Sequence, residues 1–250
     1  MNWRDEGIVI SANKYGEKYI ILKIFTQQRG LKSALVNNSK KNLPLTQIAT
    51  LVDVEWSGKS NDGLGFYKCE LKKEIASHLI SSSVKLMAFS SAVMLIDKCL
   101  AEEDSHPKLF TVLLNLIANS NQEEKLFLSN YAMFEKELLK EIGFGLDLEK
   151  CVVSGVREDL FYLSPNSGGA VCRKEGEAYK DKLFLLNNLL CCNNVSDLKN
   201  IDFRDIYETL KITRYFLFKN INRHISIFKW PEIYNLFLDK LGKLNVQQSN

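Results

Sequence analysis

Apolar and polar positions alternate with a period of two over the first seventy or so residues, and with a period near 3.6 over most of the rest. The stretch Glu6–Val36 shows the first pattern most plainly. Apolar, β-branched runs at Ile8-Val9-Ile10, Tyr19–Thr26 and Leu31–Val36 are separated by turn chemistry at Asn13–Gly16 and at Gln28-Arg29-Gly30. Such runs, broken by glycine, predict short antiparallel strands. Asp5–Ala12 reads as the first. In Tyr19–Thr26, Ile20, Leu22 and Ile24 share one face while Tyr19, Ile21, Lys23 and Phe25 share the other. Both faces are largely apolar, which suits a central strand or a sheet closed on itself. Gly30 fits a hairpin position that requires positive φ.

After Leu31–Val36 comes a polar, basic loop, Asn37–Asn42. Ile48–Trp56 alternates again, with Ile48, Val52, Val54 and Trp56 inward and Asp53 and Glu55 outward. Ser57–Gly65 reads as a turn and Phe66–Leu71 as a fifth strand. Five strands in about 75 residues fit an oligonucleotide-binding (OB) barrel, and the pattern is shared with other small barrels.

Near Lys73 the period changes. Leu79, Val84, Met87, Val93, Ile96 and Leu100 fall on one stripe, which predicts a helix over Ser81–Ala101. Pro107 opens a second helix running to Ala118, and Gln122–Ile142 is a third, stopped by Gly143. Phe144–Gly176 lacks helical periodicity and reads as a β-rich insertion. Helical pattern resumes over Asp181–Cys192, Phe203–His224 and from Pro231 to Lys243, and the polar tail Val246–Asn250 is expected to fray. The expected class is therefore α+β. An N-terminal five-stranded OB-type barrel over 1–78 precedes a mostly helical domain over 79–250, which carries the insertion at about 144–176.

Composition adds limits. The chain has 250 residues, 46% hydrophobic and 25% charged, as in an ordinary globular protein. No apolar run reaches the roughly 18–20 residues of a membrane span, and MNWRDEG lacks a secretory signal, so the expected location is the cytoplasm. The six cysteines are then thiols or ligands rather than disulfides, and Cys191-Cys192 reads as buried packing. Net charge is +3, unevenly spread. Lys and Arg outnumber Asp and Glu by 12 to 8 over Met1–Ile80 and by 8 to 4 over Arg204–Asn250, but fall short by 13 to 18 over Ser81–Phe203. Polyanion contacts are expected at the two basic ends.

Candidate chemistry is that of binding rather than bond-making. Histidine occurs only at His78, His106 and His224, with no G-x-S-x-G and no P-loop. The acids Glu102-Glu103-Asp104 and Glu123-Glu124 read as helix-start residues suited to the dipole. Cys151-Val-Val-Ser154 and Cys172-Arg-Lys-Glu175 have the layout of two zinc knuckles, each lacking its second cysteine. A serine hydroxyl is a poor zinc ligand, so no metal and no other cofactor is expected. A metal or thiol enzyme built on Cys151 and Cys172 is the weakest of the readings. The candidate DNA-binding cations are Lys14, Lys18, Lys23, Arg29, Lys32, Lys40 and Lys41, with Tyr15, Tyr19 and Phe25 near enough to offer stacking surfaces. Glutamates crowding the outer wall of the barrel would contradict this. A second basic element, with Lys211, Arg214, Tyr215 and Lys219, is expected to rim a groove for a short acidic, apolar peptide.

Several motifs, in order, resemble the RecO recombination-mediator family of bacteria. They are Glu6-Gly7-Ile8-Val9-Ile10, Tyr15-Gly16-Glu17 and Thr26-x-x-x-Gly30 in the barrel stretch. Farther on are Leu138-Leu139-x-x-Ile142-Gly143-Phe144, Leu148-x-x-Cys151-Val152-Val153, Phe161–Ser164 and Gly168-Gly169-Ala170-Val171-Cys172. The resemblance implies an OB barrel, a helical domain with a zinc-knuckle-like insertion, binding of single- and double-stranded DNA, and strand annealing. It also implies partnership with RecR, with the C-terminal tail of single-stranded-DNA-binding protein (SSB) and, indirectly, with RecA, without catalysis and at the nucleoid. Ser154 and Glu175 depart from zinc-bearing members, which have cysteine there. A generic OB-fold RNA- or DNA-binding protein without a mediator role is the alternative.

Overall fold

The computed structural model describes residues 1–59, 63–73, 79, 82–192, 202–224 and 232–248. His78, Pro231, the middle of the Ser57–Gly65 turn, the start of the Ser81 helix and the end of the tail lie outside them. The chain forms two compact units, Met1–Asn121 and Gln122–Asn250.

The first unit is built on five strands: β1 (Asn2–Tyr15), β2 (Tyr19–Thr26), β3 (Gly30–Asn37), β4 (Leu51–Ser57) and β5 (Phe66–Lys73). The long β1 pairs antiparallel with β4 through its first half and with β2 through its second. A register shift between Val9 and Ser11 marks the bulge where it passes from one partner to the other. Single pairing of Leu35 with Phe66 joins β3 to β5 and closes the barrel in the order β1-β2-β3-β5-β4. Its core includes Ile20, Leu22 and Ile24 of one β2 face and the expected Val52, Val54 and Trp56, with Val9 of β1. Ile48 is not in it. It lies outside β4 and is over one-third exposed. The polar loop after β3 folds into a 3-10 turn over Lys40–Thr46 that buries Leu45.

Helices α1 (Ser83–Cys99) and α2 (Pro107–Ala118) belong to the same unit. Ser82 caps α1 by accepting from the Lys85 amide. Between the helices, Glu102 and Glu103 are not helix-start residues. They meet the outer face of β3: Glu103 N–H donates to Leu31 O at 2.8 Å, and Ser33 Oγ donates to Glu102 Oε1 at 2.9 Å. Phe25 packs on Phe110 of α2 with ring centroids 5.7 Å apart.

The second unit centres on α3 (Glu124–Glu141), α6 (Phe203–His224) and α7 (Glu232–Gln248). A three-stranded sheet has the order β7-β6-β8: β6 (Leu160–Leu163) and β7 (Ala170–Cys172) fall in the expected β-rich insertion, and β8 (Phe184–Leu185) comes from beyond it. Short helices α4 (Arg173–Gly176) and α5 (Asn188–Cys191) flank β8 along the chain. The helix expected over Asp181–Cys192 is instead a 3-10 turn, β8 and α5. A short apolar run such as Leu183–Leu186 fits a strand as well as a helix, and pairing with β6 decides it. Of the adjacent cysteines only Cys192 is buried, whereas Cys191 is exposed. Helix α7 runs through Val246 to Gln248, where fraying was expected.

Candidate nucleic-acid and peptide interfaces

The seven candidate cations of the barrel separate into three groups. Lys14 and Lys18 flank the β1–β2 turn, and Lys40 and Lys41 open the 3-10 turn; all four are exposed. Asn38 brings the two turns together, its N–H donating to Lys18 O at 2.8 Å and its Nδ2 to Glu17 O at 3.1 Å. Among the described residues none of these four lysines is in an ion pair at contact distance. Lys23 and Lys32 form a second group and are spent within the fold. Lys23 Nζ lies 2.8 Å from Asp97 and 3.9 Å from Glu102, and the buried Lys32 pairs with Glu103 while sitting 5.3 Å from the Trp56 ring centroid. Arg29 is exposed but stands at the other end of β2, in a small cleft with Trp3, Lys32, Trp56 and Glu103.

The aromatic residues sort in the same way. Tyr15 is 55% exposed beside the lysine cluster. Tyr19 is half-buried and edges against Phe66, centroids 6.0 Å apart, and Phe66 is 50% exposed. Phe25, an expected stacking surface, is fully buried against α2 and is unavailable to a base. Phe66 replaces it. The sequence carried no sign of this, because only barrel closure through Leu35 sets Phe66 beside Tyr19.

One wall of the barrel is acidic. The outer face of β1, β4 and β5 carries Glu6, Asp53, Glu55 and Glu70, partly answered by Arg4, Lys68 and Lys72, and Asp5 lines the same cleft. Arg4 bonds Glu55 at 3.0 Å, and Lys72 pairs with Glu6 and, at 3.3 Å, with Asp53. These are the wall glutamates that count against DNA binding on the barrel: a phosphate backbone is repelled there, and the expected cationic surface is confined to one end of the barrel.

In the second unit α6 supplies a groove of about 460 Å³ with Phe184, Tyr207, Phe218 and Leu238 as apolar lining and Lys211, Arg214 and Asp239 as charges. Tyr215 lines it and packs on Phe184, centroids 5.2 Å apart. Lys219 does not belong to it: its ammonium donates to Pro165 O and Asn166 O at 2.7 and 2.8 Å, holding the β6–β7 turn. Beneath the groove lies Glu135, fully buried. Burial pushes its carboxyl up to about 7, against the lowering effect of hydrogen bonds from Thr213, Tyr131 and Tyr234.

The segment carrying Cys151, Ser154, Cys172 and Glu175 brings the first three of these together. Cys151 Sγ accepts from Cys172 N–H at 3.3 Å, and Ser154 Oγ lies 3.7 Å from Cys172 Sγ. Burial alone raises a thiol, but hydrogen bonds from Ser154, Cys172 and Val153 together bring Cys151 down to about 6. Glu175 lies in α4, and among the described residues no group of three or more His, Cys, Asp or Glu is placed to hold a metal ion. The donors present do not fit zinc, whose structural sites use four. Metal analysis of the purified full chain is expected to return well under one zinc per chain; stoichiometric zinc would contradict this.

Comparison with known proteins settles the family. Residues 1–73 match the family model described as Recombination protein O N terminal, and residues 81–226 match that described as Recombination protein O C terminal. The chain belongs to the recombination protein O family. It is 36% identical over 242 residues to a DNA repair protein RecO of Wolbachia sp. subsp. Drosophila simulans (strain wRi), covering 95% of this chain and 99% of that protein. It is 37% identical over 229 residues to the DNA repair protein RecO of Rickettsia canadensis (strain McKiel), covering 90% and 92%. This RecO-family chain is thus a DNA repair protein of α+β class. Among the described residues no helix is long and apolar enough to cross a membrane.

Proposed function

We propose that this RecO-family chain is a non-catalytic mediator that binds single-stranded DNA on one end of an OB-type barrel. The observation that carries the reading is the cluster of Lys14, Lys18, Lys40 and Lys41, all exposed, beside the exposed rings of Tyr15 and Phe66. Four ammonium groups follow a phosphate path, and the rings take unstacked bases, which are sequence-tolerant contacts. The acidic wall keeps the strand off the rest of the barrel. Neutralised phosphates allow two strands to approach, which supports binding of double-stranded as well as single-stranded DNA and annealing of complementary strands. Arg29, Lys23 and Lys32 leave the proposed interface, the first by position and the other two by ion pairing.

The barrel over 1–78 is assigned to DNA and the body over 79–250 to partners, with a knuckle-like insertion in the latter. The groove of Lys211, Arg214 and Tyr215 suits a short acidic, apolar segment such as the C-terminal tail of SSB. RecR as partner, loading of RecA on SSB-coated strands, and a cytoplasmic, nucleoid-associated location complete the reading, on family grounds.

Annealing of complementary oligonucleotides coated with SSB tests it. The full chain is expected to accelerate duplex formation over SSB-coated strands alone. Tight binding of single strands with no acceleration would instead favour a generic nucleic-acid-binding protein.

A further inference from the structure

Arg214 has neighbours on two sides. Outward, it lines the apolar groove. Inward, its guanidinium lies 5.3 Å from the Tyr234 ring centroid, and Tyr234 Oη donates to Glu135 Oε1 at 2.6 Å. The preceding residue, Thr213, donates to Glu135 Oε2. The groups facing Glu135 are therefore Tyr131 on its own helix α3, Thr213 and Arg214 on α6, and Tyr234 on α7. Arg214 supplies the positive charge in this set. On the groove side the charges are Lys211, Arg214 and Asp239, and Arg214 also bonds Asn235.

We propose that filling of this groove by an acidic, apolar peptide is coupled through Arg214 to protonation of Glu135, so that binding takes up a proton. The proposal rests on the peptide-groove reading above. An ionised carboxylate with no exposed surface depends on its hydrogen bonds and on the nearest cation. A peptide carboxylate set against Arg214 neutralises that cation and leaves the Glu135 charge less compensated. The carboxyl then takes up a proton, with Tyr234 and Thr213 still bonded to it. Burial already holds the Glu135 carboxyl near neutrality, so the exchange falls within an accessible pH range. Linkage is reciprocal: whatever raises the proton affinity of Glu135 on peptide binding must raise peptide affinity as pH falls. The sign is fixed. Affinity is higher with Glu135 neutral and drops as pH rises through its midpoint. Glu135 acts as a positioning residue here; it touches Tyr234, not the peptide.

The test uses the full chain and a fluorescein-labelled synthetic hexapeptide of alternating aspartate and phenylalanine with a free C-terminus. Its affinity is expected to weaken between pH 6 and pH 8, by roughly tenfold for each pKa unit of coupling. Calorimetry in two buffers of different ionisation enthalpy should show net proton uptake. Glu135→Gln should bind with little pH dependence, whereas Asp239→Asn should keep the dependence. Peptide bound with no proton uptake overturns the coupling and leaves the groove reading intact. Absence of binding at every pH overturns the groove reading itself. The inner half of the relay has its own measurement: the carboxyl titration of Glu135, followed by carbon NMR, should move to higher pH in Arg214→Gln. An unmoved midpoint overturns the proposal whatever the peptide does.

Discussion

Reversal of Lys14, Lys18, Lys40 and Lys41 to glutamate together is expected to remove most single-strand binding, a loss of roughly a hundredfold or more at low salt. The reasoning is electrostatic. Each ammonium that meets a phosphate releases condensed counterions, and for single strands each contact contributes about −0.7 to the slope of log affinity against log salt. Four contacts give a slope of about −2.8, and replacement of all four by alanine should flatten the plot by that amount. Placement, not net charge, is the cause. Reversal of Lys108, Lys150, Lys174 and Lys182, all exposed and none of them in the β1–β2 turn or the 3-10 turn, changes net charge equally. It should leave affinity within about threefold. Equal losses in the two variants would show a diffuse attraction rather than a site. Circular dichroism and thermal melts should be alike in both, because none of these lysines is buried.

The second large effect concerns the barrel's own integrity. Gly30→Ala is expected to destabilise the first unit by roughly 3 kcal/mol, and Gly16→Ala by only about 1 kcal/mol. Both glycines have positive φ, +70° and +62°, so the conformational cost of a side chain is shared. The space around them differs. A Cβ at Gly16 would meet nothing within 4 Å, while one at Gly30 would lie 1.9 Å from the carbonyl oxygen of Asp104. That oxygen belongs to the segment whose Glu102 and Glu103 hold Ser33 and Lys32, so relief requires the segment to leave β3. Thermal denaturation of the two variants checks this: the melting temperature should fall by about 6–12 °C for Gly30→Ala and about 2–4 °C for Gly16→Ala. Similar shifts would mean that conformation alone sets the cost.

The same glycine shows what local pattern reveals and what it conceals. Its positive φ was legible, since Gln28-Arg29-Gly30 sits between two alternating runs. β2 was legible to the residue, from Tyr19 to Thr26, because strand period and turn chemistry agree there. The approach of Asp104 was not, because it comes from 74 residues away. The ion pairing of Lys23 and Lys32 was hidden for the same reason. Their partners, Asp97, Glu102 and Glu103, lie some seventy residues downstream and meet them only after α1 is formed. Phe25 is covered by Phe110 of α2, and Phe66 comes beside Tyr19 only on barrel closure, neither of which local pattern registers. On α6, Lys211, Arg214 and Tyr215 were legible from spacing at i, i+3 and i+4, since a helix keeps such neighbours together without tertiary help. Lys219, one turn on, is drawn to the carbonyls of Pro165 and Asn166, which helical spacing does not register.

The most direct measurement is photo-crosslinking of the full chain to a single-stranded oligonucleotide carrying bromodeoxyuridine, with the adducts mapped by mass spectrometry. Adducts at Tyr15, Tyr19 or Phe66 are the result expected of a strand lying across the lysine-bearing end of the barrel. Adducts confined to the β1, β4 and β5 wall, or to residues beyond Asn121, would contradict it.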